Sequence, residues 1–292
     1  MSSSNDLTGA DHPAGQATFS SGLSVADFAA CLDMGLEPVG LVQGFCAMRS
    51  QPGVSMMGMT PYQPSANDYV ENYHCPHGFV SAEHRMWGQN YQQTWIEQTW
   101  RQGFTNAYSR MVAEATALGA HGIVGVFDNV NPLVQDGIVE FTMRGTAVHL
   151  RGHTSSSTPW TTYLAGQRLA KSIEAGFAPV NVVAAVSSVR VWASCITEYL
   201  MEGSTTMMYG VSNDSIEVEQ IVSARAAARE LVRQYVRAQL QGDQLHGVEL
   251  RMREHAFGHG DLEIQPMLRG NRVRRFKDFD ALDAPRLTVS LS

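Results

Sequence analysis

The chain carries one phrase twice, and that repetition limits its possible folds more than any other feature. Leu32-Asp33-Met34-Gly35-Leu36-Glu37-Pro38-Val39 returns 141 residues later as Ile173-Glu174-Ala175-Gly176-Phe177-Ala178-Pro179-Val180. A second echo follows, in which Glu140-Phe141-Thr142-Met143-Arg144-Gly145 returns as Glu263-Ile264-Gln265-Pro266-Met267-Leu268-Arg269-Gly270, with two residues inserted. Self-similarity of this kind specifies a tandem of related units, and 292 residues suffice for two of ordinary domain size. The reading divides the chain into an arm at 1–22, a first unit at 23–150, a linker at 151–159, a second unit at 160–276 and a tail at 277–292.

Each unit shows the same order of elements. A short helix (24–34 and 163–175) ends at a glycine, Gly35 or Gly176, with a proline three residues on that prevents continuation. A strand rich in Val, Ala and Leu follows, from Pro38 to Met48 in the first copy and from Pro179 to Trp192 in the second. Next comes a long helix. Ile96, Trp100, Phe104, Tyr108, Met111, Ala115 and Leu118 form one stripe at helical spacing over 92–118. Over 215–240 the inner face is read as Val218, Ile221, Val222, Ala228, Leu231, Val232 and Tyr235. A hairpin closes each unit, at 122–150 and 247–273. The fold class is therefore α+β, with two related units, each a small antiparallel sheet with one long helix.

Composition narrows the function classes. With 44% hydrophobic and 17% charged residues the chain can fill two cores and is too apolar for disorder throughout. A net charge of −7 argues against bulk binding to nucleic acid. Cys31, Cys46, Cys75 and Cys195 show no paired spacing, which suits a reducing, cytoplasmic setting. No apolar run approaches the roughly 18 residues that span a bilayer. The Ser/Gly/Asp-rich start has neither a cationic nor an apolar stretch, so it reads as a disordered arm rather than a signal peptide.

Ala117-Leu118-Gly119-Ala120-His121-Gly122-Ile123-Val124-Gly125-Val126, together with Arg144-Gly145-Thr146-Ala147-Val148, resembles the YbjQ-like family, labelled heavy-metal-binding. The likeness covers residues 36–150 and, more thinly, 177–273, where Arg269-Gly270-Asn271-Arg272-Val273 replaces the Gly-Thr-Ala-Val strand. It implies two tandem ββαββ-type domains, similar to dodecin subunits, that close into pentameric rings, and hence a non-enzymatic, homo-oligomeric scaffold or storage protein with a role in stress. Elementary physics points the same way. A small sheet with one helix leaves edge strands exposed, and ring closure removes them.

Several clusters carry other chemistry. His74, Cys75 and His77, with His84 downstream, offer imidazole and thiolate donors suited to Zn or Cu. They lie in a segment, 49–88, that is inserted only in the first unit; its alternative reading is a polar loop. Met56, Met57, Met59, Tyr62, Tyr69 and Tyr73 of the same segment form an adaptable apolar surface, read as an oligomer interface. His255 and His259 flank a turn read at Ala256-Phe257-Gly258. Cys75 with His77 or His84, and Asp68 or Glu83, can be written as a nucleophile and base, but no catalytic spacing singles them out. Trp95, Trp100 and Tyr108 suit an aromatic ligand between subunits, although Trp100 and Tyr108 also lie on the core stripe. Arg272, Arg274, Arg275 and Lys277 can touch phosphate, but Asp278, Asp280 and Asp283 cancel much of their field. Residues 285–291 alternate apolar and polar positions as a strand does, suited to docking on another chain. They also resemble the C-terminal docking peptides of proteins packaged inside encapsulin shells.

Overall fold

Capping chemistry sets the first boundaries of the fold. In a computed structural model, which describes residues 20–49, 73–74, 80–81, 88–132, 138–153, 158–202, 216–258 and 260–277, helix α1 (Val25–Asp33) begins at Ser24, whose hydroxyl accepts the Asp27 amide at 3.1 Å. It ends at Gly35, whose φ of +75° lies in the left-handed region that glycine enters without strain. Strand β1 (Leu36–Arg49) then alternates buried and exposed residues from Val42 to Cys46, as a sheet covered on one face requires. Two short strands, β2 (Tyr73–His74) and β3 (Val80–Ser81), pair with each other. Strand β4 (Asn90–Gln92) leads into helix α2 (Thr94–Ala117), and the antiparallel pair β5 (Gly122–Pro132) and β6 (Ile138–Leu150) closes the half.

The second half repeats this order. After strand β7 (Trp160–Thr161), helix α3 (Gly166–Glu174) ends at Gly176, with φ +79°. Strands β8 (Phe177–Val186) and β9 (Val189–Val191) are followed by helices α4 (Cys195–Glu202) and α5 (Glu219–Leu240), then by the hairpin of β10 (Gln244–Gly258) and β11 (Asp261–Arg275).

The chain is α+β, and its two main sheets share one plan. In the first, β6 runs between β1 and β5; in the second, β11 runs between β8 and β10, all antiparallel. Each half also lends a strand to the other. β7 pairs parallel with β5 on the first sheet, and β4 pairs with β9 on the second. Helix α2 packs Ala107, Met111 and Ala115 with Val42, Cys46, Phe141 and Met143. Helix α5 places Val232 and Val236 with Val183, Ala185 and Leu268, and Ile221, Ala224 and Ala228 with Val189, Val191 and Ile264.

Three local readings change. The strand expected to run from Pro179 to Trp192 breaks at Ser187-Ser188. The Ser187 hydroxyl donates to the Ala228 carbonyl at 2.7 Å and the Ser188 hydroxyl to the Gln93 side chain at 2.9 Å, so local hydrogen bonds displace the ladder. Val222, expected inside, is exposed, and Ala224 and Val236 take the inner stripe instead. The second hairpin turns beyond Gly258, which pairs with Asp261, because β10 continues through Ala256 and Phe257. The phosphate reading of the tail also yields to internal pairing. Arg272 and Arg274 both hold Asp243, at 2.6 and 3.1 Å, and Arg274 first, then Arg272, keeps that carboxyl below the usual carboxylate range.

One glycine sets the distance between helix α2 and strand β1. A Cβ on Gly44 would lie 1.8 Å from the Ala107 carbonyl oxygen, a backbone atom that cannot step aside. Gly44→Val should therefore lower stability by about 1–3 kcal/mol or more. Gly40→Ala, whose Cβ meets only Leu118 Cδ1 at 3.5 Å, should stay within about 0.5 kcal/mol of the parent. Urea midpoints of the two variants check this directly.

Candidate functional site

Among the described residues, the densest set of polar and aromatic contacts lies along the seam between the two halves. Strand β8 turns Val183 and Ala185 toward its own helix and leaves Val182, Ala184 and Val186 on its outer face. Those three are buried in one cluster with Trp100, Phe104 and Ala107 of α2. Trp100 stacks on Phe104 at 5.0 Å and meets Phe141 edge-on at 6.3 Å. A single helix thus serves its own sheet on one side and the neighbouring sheet on the other.

The segment before α3 stitches the seam through its backbone. Thr162 donates to the Ile123 carbonyl at 3.0 Å, Val126 donates to Thr162 at 2.9 Å, and Gly125 donates to Leu164 at 3.0 Å. Asn271 of β11 holds this segment from the other side, its side-chain oxygen accepting from the Thr162 hydroxyl at 2.8 Å and the Tyr163 amide at 2.7 Å. The segment is thereby clamped between the two sheets.

Two buried polar knots fix the register of the seam. Arg269 of β11 reaches Asp128 of β5 at 2.7 Å and Glu249 of β10 at 2.6 Å. Its side chain is only 13% exposed and that of Asp128 only 3%. The Tyr163 ring lies 5.2 Å beneath that guanidinium. Burial, and then the Asp128 charge, push the Tyr163 phenol well above its ordinary value of 10. The second knot is Glu97 of α2. It accepts from the Ser188 amide at 3.0 Å, Tyr235 at 2.8 Å and Gln92 at 2.8 Å, joining α2 to β4, to α5 and to the link between β8 and β9. Nothing in the sequence marks Glu97, a carboxylate set on the apolar side of a helix.

A cleft of about 690 Å³ opens where the seam meets the free end of the β10–β11 hairpin, lined by Trp100, Asp128, Phe141, Met252, His255 and Glu263 among others. A second, of about 570 Å³, lies between α2 and β8 and is lined by Trp100, Phe104, Tyr108, Val182, Val186 and Tyr235 among others. Trp100 and Tyr108, two residues of the aromatic-ligand reading, thus belong to the packed seam. The Tyr108 hydroxyl shares a hydrogen bond with Thr161 at 3.2 Å. Trp95 lies in the first turn of α2 and is half-buried. His255 stands on β10 against Phe257, ring centroids 4.5 Å apart.

The metal reading falls elsewhere. His74 is in the short strand β2, while its side chain and residues Cys75, His77 and His84 lie outside the described residues. So do His259, Met56, Met57, Met59, Tyr62, Tyr69, the Tyr73 side chain and residues 285–291. Among the described residues, no group of three or more His, Cys, Asp or Glu side chains is placed to hold a metal ion. Cys31 and Cys46 are buried thiols in the core, and burial, then Asp27, push Cys31 up to about 11.

Two expectations follow from the seam. Arg269→Met leaves Asp128 buried without its counter-ion and should cost about 3–5 kcal/mol, much of it restored by the Asp128→Asn/Arg269→Met double variant. Denaturant titration of the three proteins measures the coupling. Burial raises the Glu263 carboxyl above its ordinary 4.5, so folding favours the neutral acid. That contribution is present below 4.5 and is lost as pH rises through the folded-state value. Glu263→Gln should thus melt higher than the parent at pH 7, with the gap closing as pH falls below 4.5.

No family model matches the chain. The encapsulin nanocompartment protein Rv1762c of Mycobacterium tuberculosis is 27% identical over 267 residues, a stretch that covers 88% of this chain and 86% of that protein.

Proposed function

We propose that the protein is a non-enzymatic, self-assembling component of an encapsulin nanocompartment, built from two tandem YbjQ-like units. The observation that carries this reading is the extent of the similarity to Rv1762c, which runs through both halves rather than one motif. The fold supports it. Strand β10 runs along the edge of its sheet with Val248, Leu250 and Met252 exposed on one face, and among the described residues no strand pairs with its outer edge. Association buries such an edge, and a heterologous contact repeated around a closed ring buries every copy of it.

In this reading the alternating segment at 285–291 is the docking strand that holds the protein to the compartment, and the folded units serve as scaffold or store. A cytoplasmic setting and a role in stress accompany it. No helix among the described residues is long and apolar enough to cross a membrane.

Co-expression with an encapsulin shell protein tests the reading. The full chain should sediment with the particle, and a variant ending at Lys277 should not, while both give the same oligomer by native mass spectrometry. A full chain that stays outside the particle, or that is a monomer, overturns it.

A further inference from the structure

Each surface of the internal seam recurs once more in the molecule, at Ser21–Leu23 with β1 and at β10, and there it meets no partner among the described residues. We infer that the β10 edge of one copy pairs with the Ser21–Leu23 segment of a second copy, as β5 pairs with Thr162–Leu164 within the chain. This deepens the self-assembly reading above and rests on it.

The correspondence holds atom by atom on the segment side. Thr162 and Tyr163 are bound by Asn271, and the Leu164 amide donates to the Thr162 hydroxyl at 3.1 Å. In the first half, Thr146 shares a hydrogen bond with the Ser21 hydroxyl at 3.3 Å and accepts from the Gly22 amide at 3.2 Å, and the Leu23 amide donates to the Ser21 hydroxyl at 3.1 Å. Thr146 and Asn271 occupy the same place on the two central strands, opposite Val124 and His246. The same hook is built twice, once filled on its outer side and once, among the described residues, open.

The edge side corresponds as well. Strand β5 slips register between Val124 and Phe127, and β10 slips between His246 and Glu249. Each bulge is made by a glycine in the left-handed region, Gly125 at φ +60° and Gly247 at φ +62°. In β5 the amides of Gly125 and Val126 donate to Leu164 and Thr162. In β10 the amides of Gly247 and Val248 face no such segment among the described residues.

Exposure shows which surfaces lack their cover. Val126 is 5% exposed, and its counterpart Val248 is 54% exposed. On the outer face of β8, Val182 and Val186 are 3% and 8% exposed; at the matching positions of β1, Leu41 and Phe45 are 37% and 45% exposed. The tail of one copy therefore offers an edge with an uncovered valine, and the head of another offers an open hook beside an uncovered apolar strand face. Joined head to tail, each copy meets the next through unlike surfaces, which generates a ring or an open filament.

The match is incomplete in ways that predict a weaker contact. Leu250 stands where Asp128 does, so the buried pair with arginine is not reproduced. With Ala107 and Ala228 in register, α5 offers Arg225 and Arg229 where α2 offers Phe104 and Tyr108. The surface facing β1 of the second copy is thus more polar than the internal seam.

Site-directed cross-linking tests the contact. A Cβ built on Gly125 lies 4.0 Å from the Ala165 Cβ, within the span of about 3.5–4.5 Å that a disulfide needs. The matching pair between copies is Gly247 and Ser24. A Gly247→Cys chain mixed with a Ser24→Cys chain and oxidised should form a mixed covalent dimer that neither single variant forms alone, and the double variant should form a covalent ladder. Gly125→Cys/Ala165→Cys, which should close within one chain, controls for the geometry. Because a cysteine strains the bulge at Gly247, hydrogen exchange on the unaltered protein gives an independent readout, with the Gly247 and Val248 amides protected in the assembly and exposed on dilution to monomer. An oligomer without the mixed dimer and with rapid exchange at Gly247 and Val248 overturns this contact and leaves self-assembly standing. A monomer by native mass spectrometry overturns both.

Discussion

Burial of the outer face of β8 against helix α2 is the contact on which the rest of the molecule depends. Each half has a small sheet and one long helix, which can cover only one sheet face. Val182, Ala184 and Val186 would otherwise line a wet surface, and fully burying a valine contributes about 1.5–3 kcal/mol. The same packing brings β11 close enough for Arg269 to reach Asp128, and α2 close enough to β9 for Glu97 to reach Ser188. Apolar burial thus supplies the stability of the seam. The buried ionic groups contribute little net stability and instead set its register.

The geometry of that seam also explains the asymmetry of the molecule. Only one of the two hairpin edges meets the segment before a following helix, since the chain has only one junction between halves. β5 receives β7 and Thr162–Leu164, whereas β10 meets no such segment among the described residues. The first half likewise has a covered helix side and, among the described residues, an uncovered strand face at Leu41 and Phe45. Among the described residues, two such units in tandem leave one uncovered surface of each kind. Association between copies would cover both kinds of surface at once.

Much of the fold was legible in the residues. Gly35 and Gly176 end the short helices, the Trp100–Ala115 stripe marks α2, and the pattern around Gly122–Leu150 announces a hairpin, because each signal is local and has the period of its element. Less of the candidate site was legible. Glu97 breaks the apolar stripe, and its reason is Ser188, which is 91 residues away. Asp128 and Arg269 are 141 residues apart and look like ordinary charges on strands. β4 and β7 are too short to show any period, although they lace the halves together. The break at Ser187-Ser188 was hidden inside an apolar run because the partners of the two hydroxyls, Ala228 and Gln93, come from other elements.

The sequence by itself determined the repeat, the α+β class, the order of the main elements in each half and the glycines that end the short helices, since all of these follow from short-range sterics and the alternation of apolar and polar residues. Only the tertiary structure decided which surface of each half is satisfied within the chain and which is left open. That choice depends on packing between residues far apart in sequence, and no local pattern distinguishes the covered Val126 from the exposed Val248, or the covered Val182 from the exposed Leu41.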